Sequence, residues 1–218
     1  MLLAEPIFLS LQWEWPNTWK PSIFIRFYGC NLCCKRCDSL YAVNNPEWII
    51  NIDLKEIVSE IKWLKCNHIV FTWWEPTLFS KDIQEIQDSL WDEYTYEIET
   101  NWSNPIRNVF NQINISPKLS NSWNNPYSLR AFDEMAIKLV WAEYRVCFKF
   151  VAKWKEDFNE ILEYIKENHI SNEIVYIMPE WVDAKSQVNK EVLQFCLDNN
   201  FRYCQRVHIL LFWNKKWV

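Results

Sequence analysis

Short apolar runs rich in β-branched and aromatic residues recur along the chain, separated by stretches whose apolar side chains return every three or four positions. The first pattern marks buried strands and the second amphipathic helices. Strands are expected at Ile23–Phe27, Ile69–Thr72, Tyr94–Glu99, Ile113–Ser116, Val146–Ala152, Ile174–Met178 and Val207–Phe212. The helix expected at 53–65 opens on an Asp N-cap and lines up Leu54, Ile57, Val58, Ile61 and Leu64 on one face. Others are expected near 81–90, 127–139, 156–168 and 187–199. Alternation of this kind predicts an α/β fold of βα units around a mainly parallel sheet. No internal repeat or linker interrupts it, so residues 1–218 are read as one domain.

Chemistry collects where strands end. Gly29–Ser39, Trp73–Pro76, Thr100–Ser103 and Ser116–Lys118 each follow one of the first four strands. In α/β sheets and barrels that edge is where sites are built.

Composition changes this picture in one respect. The chain has fifteen tryptophans and one glycine, which together make 16, whereas ordinary usage puts glycine alone at about 7%, or roughly 15 residues in this length. Trp19, Trp102, Trp123, Trp154, Trp181, Trp213 and Trp217 stand among Asn, Pro, Ser, Asp and Lys, in turn chemistry that suits glycine. Trp63 and Trp91 follow helical repeats, where glycine closes a helix. The expectation is that the gene reads UGA as glycine and that a UGA-to-tryptophan table produced the written sequence. The competing reading is a tryptophan-rich binding module that uses its indoles as aromatic platforms.

Charge narrows the partners. A net charge of −5 and a pI near 5.3 leave no basic stripe for a polynucleotide, so no nucleic-acid partner is expected. The first residues carry no basic signal region, and no run reaches 18 apolar residues. The expectation is a cytoplasmic protein without a membrane partner.

Four of eight cysteines fall within residues 30 to 37. Cys30, Cys34 and Cys37 form C-x3-C-x2-C directly after a strand and Gly29, with Cys33 out of register. Three thiolates on one loop can hold three irons of a [4Fe–4S] cluster and leave the fourth open. The alternative is structural zinc, which takes four ligands. Cys66, Cys147, Cys196 and Cys204 are scattered singly and read as small buried hydrophobes, and His68, His169 and His208 read as structural.

The triplet resembles that of the radical S-adenosylmethionine (SAM) superfamily. With tryptophan read as glycine, Phe71-Thr72-Trp73-Trp74-Glu75-Pro76 resembles the superfamily's motif for the SAM amino group. Leu11-Gln12-Trp13-Glu14-Trp15, Lys20-Pro21, Phe24-Ile25-Arg26, Gly29–Leu32, Cys37–Ala42, Glu99–Ser103, Ser116-Pro117-Lys118 and His208–Val218 further resemble the 7-carboxy-7-deazaguanine synthases.

That resemblance implies a partial (βα)6-type radical SAM barrel and a radical ring contraction of a carboxytetrahydropterin. It implies a [4Fe–4S] cluster on Cys30, Cys34 and Cys37, SAM, and Mg²⁺ held by Ser39, where the family more often has Thr. SAM contacts would fall on Arg36, Cys37, Asp38, Trp74, Glu75, Ser116, Pro117 and Lys118. The pterin would meet Leu11, Gln12, Trp13, Arg26 and Thr72. No side chain is expected to be catalytic in its own right, since the cofactor carries the radical step. Arg36 stands where the superfamily favours an aromatic residue. A homodimer and a flavodoxin-type or ferredoxin-type electron donor are the implied partners. The alternative within the superfamily is a glycyl-radical-enzyme activase, which leaves the 11–15 motif and Asp38-Ser39 unexplained.

Overall fold

The computed structural model describes residues 1–35, 37, 49–90, 93–124, 145–180 and 183–213. In chain order the strands are β1 (Leu2–Leu3), β2 (Phe8–Leu11), β3 (Pro21–Arg26), β4 (Ile50–Asn51), β5 (His68–Thr72), β6 (Thr95–Thr100), β7 (Gln112–Ile115), β8 (Arg145–Ala152), β9 (Val175–Pro179) and β10 (Arg202–Tyr203). The helices are α1 (Leu54–Trp63), α2 (Ser80–Leu90), α3 (Lys155–Glu167), α4 (Lys190–Asn199) and α5 (Val207–Phe212).

Eight strands form one sheet in the order β10-β9-β8-β7-β6-β5-β3-β2, in which only β2 runs antiparallel to its neighbour. Its six central strands are those expected from the apolar runs. The expected parallel βα architecture is therefore present. β1 and β4 pair separately, antiparallel.

Side-chain alternation gives the sheet two different faces. Outward, Ile23, Ile25, Ile69, Phe71, Ile98, Ile113, Ile115, Phe148, Phe150 and Ile177 pack against Ile57 and Ile61 of α1, Ile83 and Ile86 of α2, Ile161 of α3 and Phe195 of α4 in one apolar core. Inward, the same strands present Ser22, His68, Thr72, Glu97, Gln112, Asn114 and Lys149, all buried. Cross-sheet contacts prove the curl: Gln12, just after β2, reaches Glu97 on β6 at 2.7 Å. The two sheet edges meet as well, with the Val207 amide donating to the Trp13 carbonyl at 3.2 Å.

Helix starts follow local chemistry. Asp53 caps α1 as expected, accepting the Glu56 amide at 2.9 Å while Glu56 accepts the Asp53 amide at 3.3 Å. Two expectations are corrected. Val207–Phe212 is the helix α5 and not a strand, because the edge beside β9 is already taken by β10 and a short unbroken apolar run does not fix its own period. Trp63 is the last residue of α1; the left-handed position beyond the helix falls on Lys65, at φ 51°. The helix expected at 127–139 and Trp91, Trp181 and Trp217 lie outside the described residues.

The backbone bears directly on the tryptophans. Trp15, Trp19, Trp73, Trp74, Trp102, Trp123 and Trp213 all take φ between 51° and 76°, the left-handed region; Trp13, Trp63 and Trp154 do not. Only a few per cent of non-glycine residues sit there, and a bulky one is an outlier. Gly29 has φ 137°, a conformation that requires glycine.

Replacing Trp19, 55% exposed, by glycine is expected to raise stability by about 1 kcal/mol by removing that strain. Trp63→Gly, at a site 76% exposed inside a right-handed turn, is expected to lower it by about 0.5 kcal/mol. Urea midpoints of the two variants check the contrast.

Candidate functional site

The C-terminal ends of β3, β5 and β6 converge on Glu75, which is fully buried. Its Oε1 accepts from the Thr77 amide at 3.1 Å and from the Thr77 and Thr100 hydroxyls at 2.6 Å each, while Oε2 accepts from the Asn101 amide at 2.7 Å. Burial pushes its pKa up, and these four bonds work against that rise. The Glu75 amide donates to the Gly29 carbonyl at 3.3 Å, so this one residue, through its backbone and its carboxylate, ties together the ends of β3, β5 and β6. Ser116, placed after β7, donates its amide to the Thr100 carbonyl at 2.8 Å and accepts Lys118 Nζ on its hydroxyl at 2.9 Å. Lys118 is thus tied to the strand end and is not a free solvated lysine.

The cysteine loop starts one residue after Gly29. Asn31 Nδ2 donates to the Ser103 hydroxyl at 2.7 Å, and Asn101 Nδ2 lies 3.8 Å from Cys30 Sγ. On the other side Asn124 Nδ2 donates to Cys34 Sγ at 3.0 Å. The donor set, three thiols with amide groups turned toward two of them, fits an iron–sulfur cluster chemically. The thiols are not gathered around one point: among the described residues no group of three His, Cys, Asp or Glu side chains is placed to hold a metal ion. Arg36, Asp38 and Ser39 lie outside the described residues.

Trp73 and Trp74 do not fit a small-molecule cofactor at the Glu75 edge. Their indoles stack on each other at 5.3 Å, Trp73 lies under the Arg26 guanidinium at 4.6 Å, and Trp74 meets Tyr28 edge-on at 5.2 Å. The backbone expected to approach SAM is covered by two rings.

Deeper in the barrel the inward side chains form one polar network. Glu97 accepts from Gln12 at 2.7 Å, Asn17 at 2.6 Å and Asn114 at 2.5 Å, and His68 Nε2 stands 3.1 Å from it. Glu99 accepts from Gln12 at 3.0 Å and from the Thr72 hydroxyl at 2.5 Å. Its pKa is pushed up to about 7 by burial first and by the neighbouring Glu14 second. Glu14 pairs with Lys149, and Arg206 Nε lies 3.8 Å from its other oxygen. Burial opposes the Glu14 charge, yet Lys149 and Arg206 hold its pKa below the usual value.

Of the residues expected to touch the pterin, Gln12 and Thr72 meet through Glu99. Leu11 ends β2, and Trp13 packs edge-on against Trp19 and Phe212. Arg26 shares the inner face with Thr72, opposite it in the β3–β5 register, and pairs with Glu5. Burial pushes Glu5 up to about 7 despite that pairing. Glu14 and Arg26 do not pair with each other. Glu97, Glu99, Asn114, Lys149 and Arg206 were absent from the expected site residues. Their signal was present: Glu97 and Glu99, or Gln112 and Asn114, fall on every second position of otherwise apolar strands.

No family model matches the chain. The 7-carboxy-7-deazaguanine synthase of Clostridium acetobutylicum is 30% identical over 79% of this chain and 78% of its own. The Halobacterium salinarum enzyme of the same name is 27% identical over 98% and 91%. A crystal structure of QueE from Escherichia coli superposes with a TM-score of 0.68 at 19% identity, covering 95% of this chain and 94% of that one, which shows the fold.

Folded Glu99 keeps its proton to about pH 7, whereas the unfolded chain releases it near 4.5. Its contribution to stability is complete below 4.5 and is lost as pH rises through 7. Glu99→Gln, neutral throughout, is expected to lose less melting temperature between pH 5 and pH 8 than the unmodified chain, as calorimetry would record.

Proposed function

This chain belongs to the 7-carboxy-7-deazaguanine synthase family, and on that footing we propose that it contracts 6-carboxy-5,6,7,8-tetrahydropterin to 7-carboxy-7-deazaguanine with release of ammonia. The atoms of the substrate equal those of the two products, so the conversion needs no net oxidant or reductant. Membership of this family sets aside the activase and the aromatic-platform module. The family implies a [4Fe–4S] cluster and SAM, which when bound supply a radical able to remove a substrate hydrogen atom.

The observation that carries the reading is the polar barrel interior at the strand ends, next to the cysteine loop. The 6-carboxytetrahydropterin carries amide, amine and carboxylate groups, and the inner face offers partners for each. Arg26 suits the carboxylate through its two-pronged guanidinium. Its present partner Glu5, with a pKa near 7, can take up a proton and release Arg26 to that carboxylate. Glu99, protonated at similar pH, can donate as well as accept against the pterin ring, and Gln12 and Thr72 hold it in place. Leu11, the last residue of β2, supplies an apolar wall at the mouth, and the backbone of position 13 borders it. The Glu14–Lys149–Arg206 cluster keeps fixed charge beside the ring site.

The same proposal includes Mg²⁺ at Ser39, whose oxygen suits a hard cation that keeps its waters. It also includes SAM contacts on Arg36, Asp38, Ser116, Pro117 and Lys118, a homodimer, a flavodoxin-type or ferredoxin-type electron donor, and a cytoplasmic location. No helix among the described residues is long and apolar enough to cross a membrane.

Protein purified anaerobically from its own host, given SAM, Mg²⁺, a one-electron donor and the carboxytetrahydropterin, is expected to release ammonia and a deazaguanine chromophore in equal amounts. Deoxyadenosine without deazaguanine would sink the reading. Arg26→Gln is expected to lower kcat/KM about 10- to 100-fold, as loss of one charged hydrogen-bonded contact does, mostly through KM.

A further inference from the structure

We infer that the positions written as tryptophan are glycine in the protein the cell makes, all fifteen of them. Two of the three observations, on backbone and on packing, hold whatever reaction the barrel runs.

The first observation is conformational. Seven described tryptophans occupy left-handed backbone, and the other non-glycine residues there are Lys65, His169 and Asn200. Lys65, His169 and Asn200 all lie just past helix C-termini, at the end of α1, α3 and α4, a setting in which non-glycine residues are often tolerated. The tryptophans instead lie mostly in turns and strand-end loops where no helix terminus offers that setting, the exceptions being Trp123 after the short 3-10 helix Ser120–Ser122 and Trp213 after α5. Bulky side chains are the residues least suited to such φ values.

The second observation is chemical. The indole N–H groups of Trp15 and Trp74 are buried without a hydrogen-bond acceptor. A buried indole ordinarily finds a partner for that group. Glycine removes the donor altogether.

The third observation concerns the site. Gly29, the one glycine written as such, adjoins Glu75 through a backbone bond, and the two rings of Trp73 and Trp74 cover the same edge. With glycine at 73 and 74 the obstruction to SAM disappears, and the family's cofactor and this chain's residues agree. A single codon read as glycine by the cell and as tryptophan by the translation table accounts for all positions at once. The ordinary φ of Trp13, Trp63 and Trp154 is no obstacle, since glycine adopts those angles too.

The test is mass spectrometry of tryptic peptides from protein isolated from its native host. The peptide from Cys66 to Lys81, which contains positions 73 and 74, is expected at the mass of the double-glycine form, with glycine at every other written tryptophan. Tryptophan at both positions of that peptide overturns the inference, and a glycine–tryptophan mixture at any position overturns its uniform form. Neither outcome depends on activity.

An independent observation concerns the cysteine loop. The geometry points to Asn124 as a positioning residue that fastens this loop and tunes its cluster, an assignment that rests on the cluster reading above. Its Oδ1 accepts the Cys33 amide at 2.9 Å while its Nδ2 donates to Cys34 Sγ, and the neighbouring Ser122 carbonyl accepts the Lys35 amide at 3.0 Å. One side chain from beyond β7 thus grips two successive residues of the loop. An N–H donated to a cluster thiolate draws electron density from it and favours the reduced state.

Asn124→Asp keeps the acceptor for Cys33 and removes the donor to Cys34. It is expected to retain iron and sulfide while the midpoint potential of the reconstituted cluster, followed by paramagnetic resonance, moves to a more negative value; Asn124→Gln restores a donor and recovers part of the shift. Full cluster content with an unchanged potential in Asn124→Asp overturns the assignment alone. Failure of the unmodified protein to take up iron overturns the cluster reading together with it.

Discussion

Everything in this barrel depends on polar groups that are closed off from water on the inner face of a parallel sheet. A strand buried on both sides cannot leave a carboxylate there unpaired, because desolvating the charge costs several kcal/mol. Glu97 meets that constraint with Gln12, Asn17, Asn114 and His68, drawn from the β2–β3 loop, β7 and β5. Those four partners fix how far the sheet must curl. The apolar outer face, with its isoleucines and phenylalanines under the helices, would pack equally well on a flatter sheet; the inner carboxylates would not.

Glu75 repeats the device at the rim. By accepting from Thr77, Thr100 and Asn101 it locks strand ends into a platform from which the cysteine loop departs. The two carboxylates divide the work: one shapes the barrel interior, and the other holds the edge from which the cysteine loop departs. Burial lifts Glu99 and Glu5 to about 7, and groups poised there are typical of sites that exchange protons.

The sequence disclosed the architecture better than the interior. Apolar runs located six central strands, and Asp53 announced the start of α1 correctly, since both signals are local. Val207–Phe212 was misjudged because six consecutive apolar residues satisfy either period, and only the occupied sheet edge decides between them. Lys149 was passed over for a similar reason: a lysine within Cys-Phe-Lys-Phe-Val reads as a surface residue until the carboxylate of Glu14, far away in sequence, is seen beside it. The motif residues Gln12, Thr72 and Arg26 were found through resemblance, and the structure sets all three near the barrel interior. Trp63 shows the limit of turn reasoning, since composition around it suggested a helix end two residues before the left-handed residue that follows α1.

The bridge between the Val207 amide and the Trp13 carbonyl has a consequence for the order of events in the living cell. Segments almost two hundred positions apart must find each other before the mouth of the barrel is complete, a closure that is entropically costly and slow compared with helix capping or hairpin pairing. A ribosome delivers residue 13 long before residue 207. The cysteine loop therefore emerges on a sheet whose two edges have not yet met.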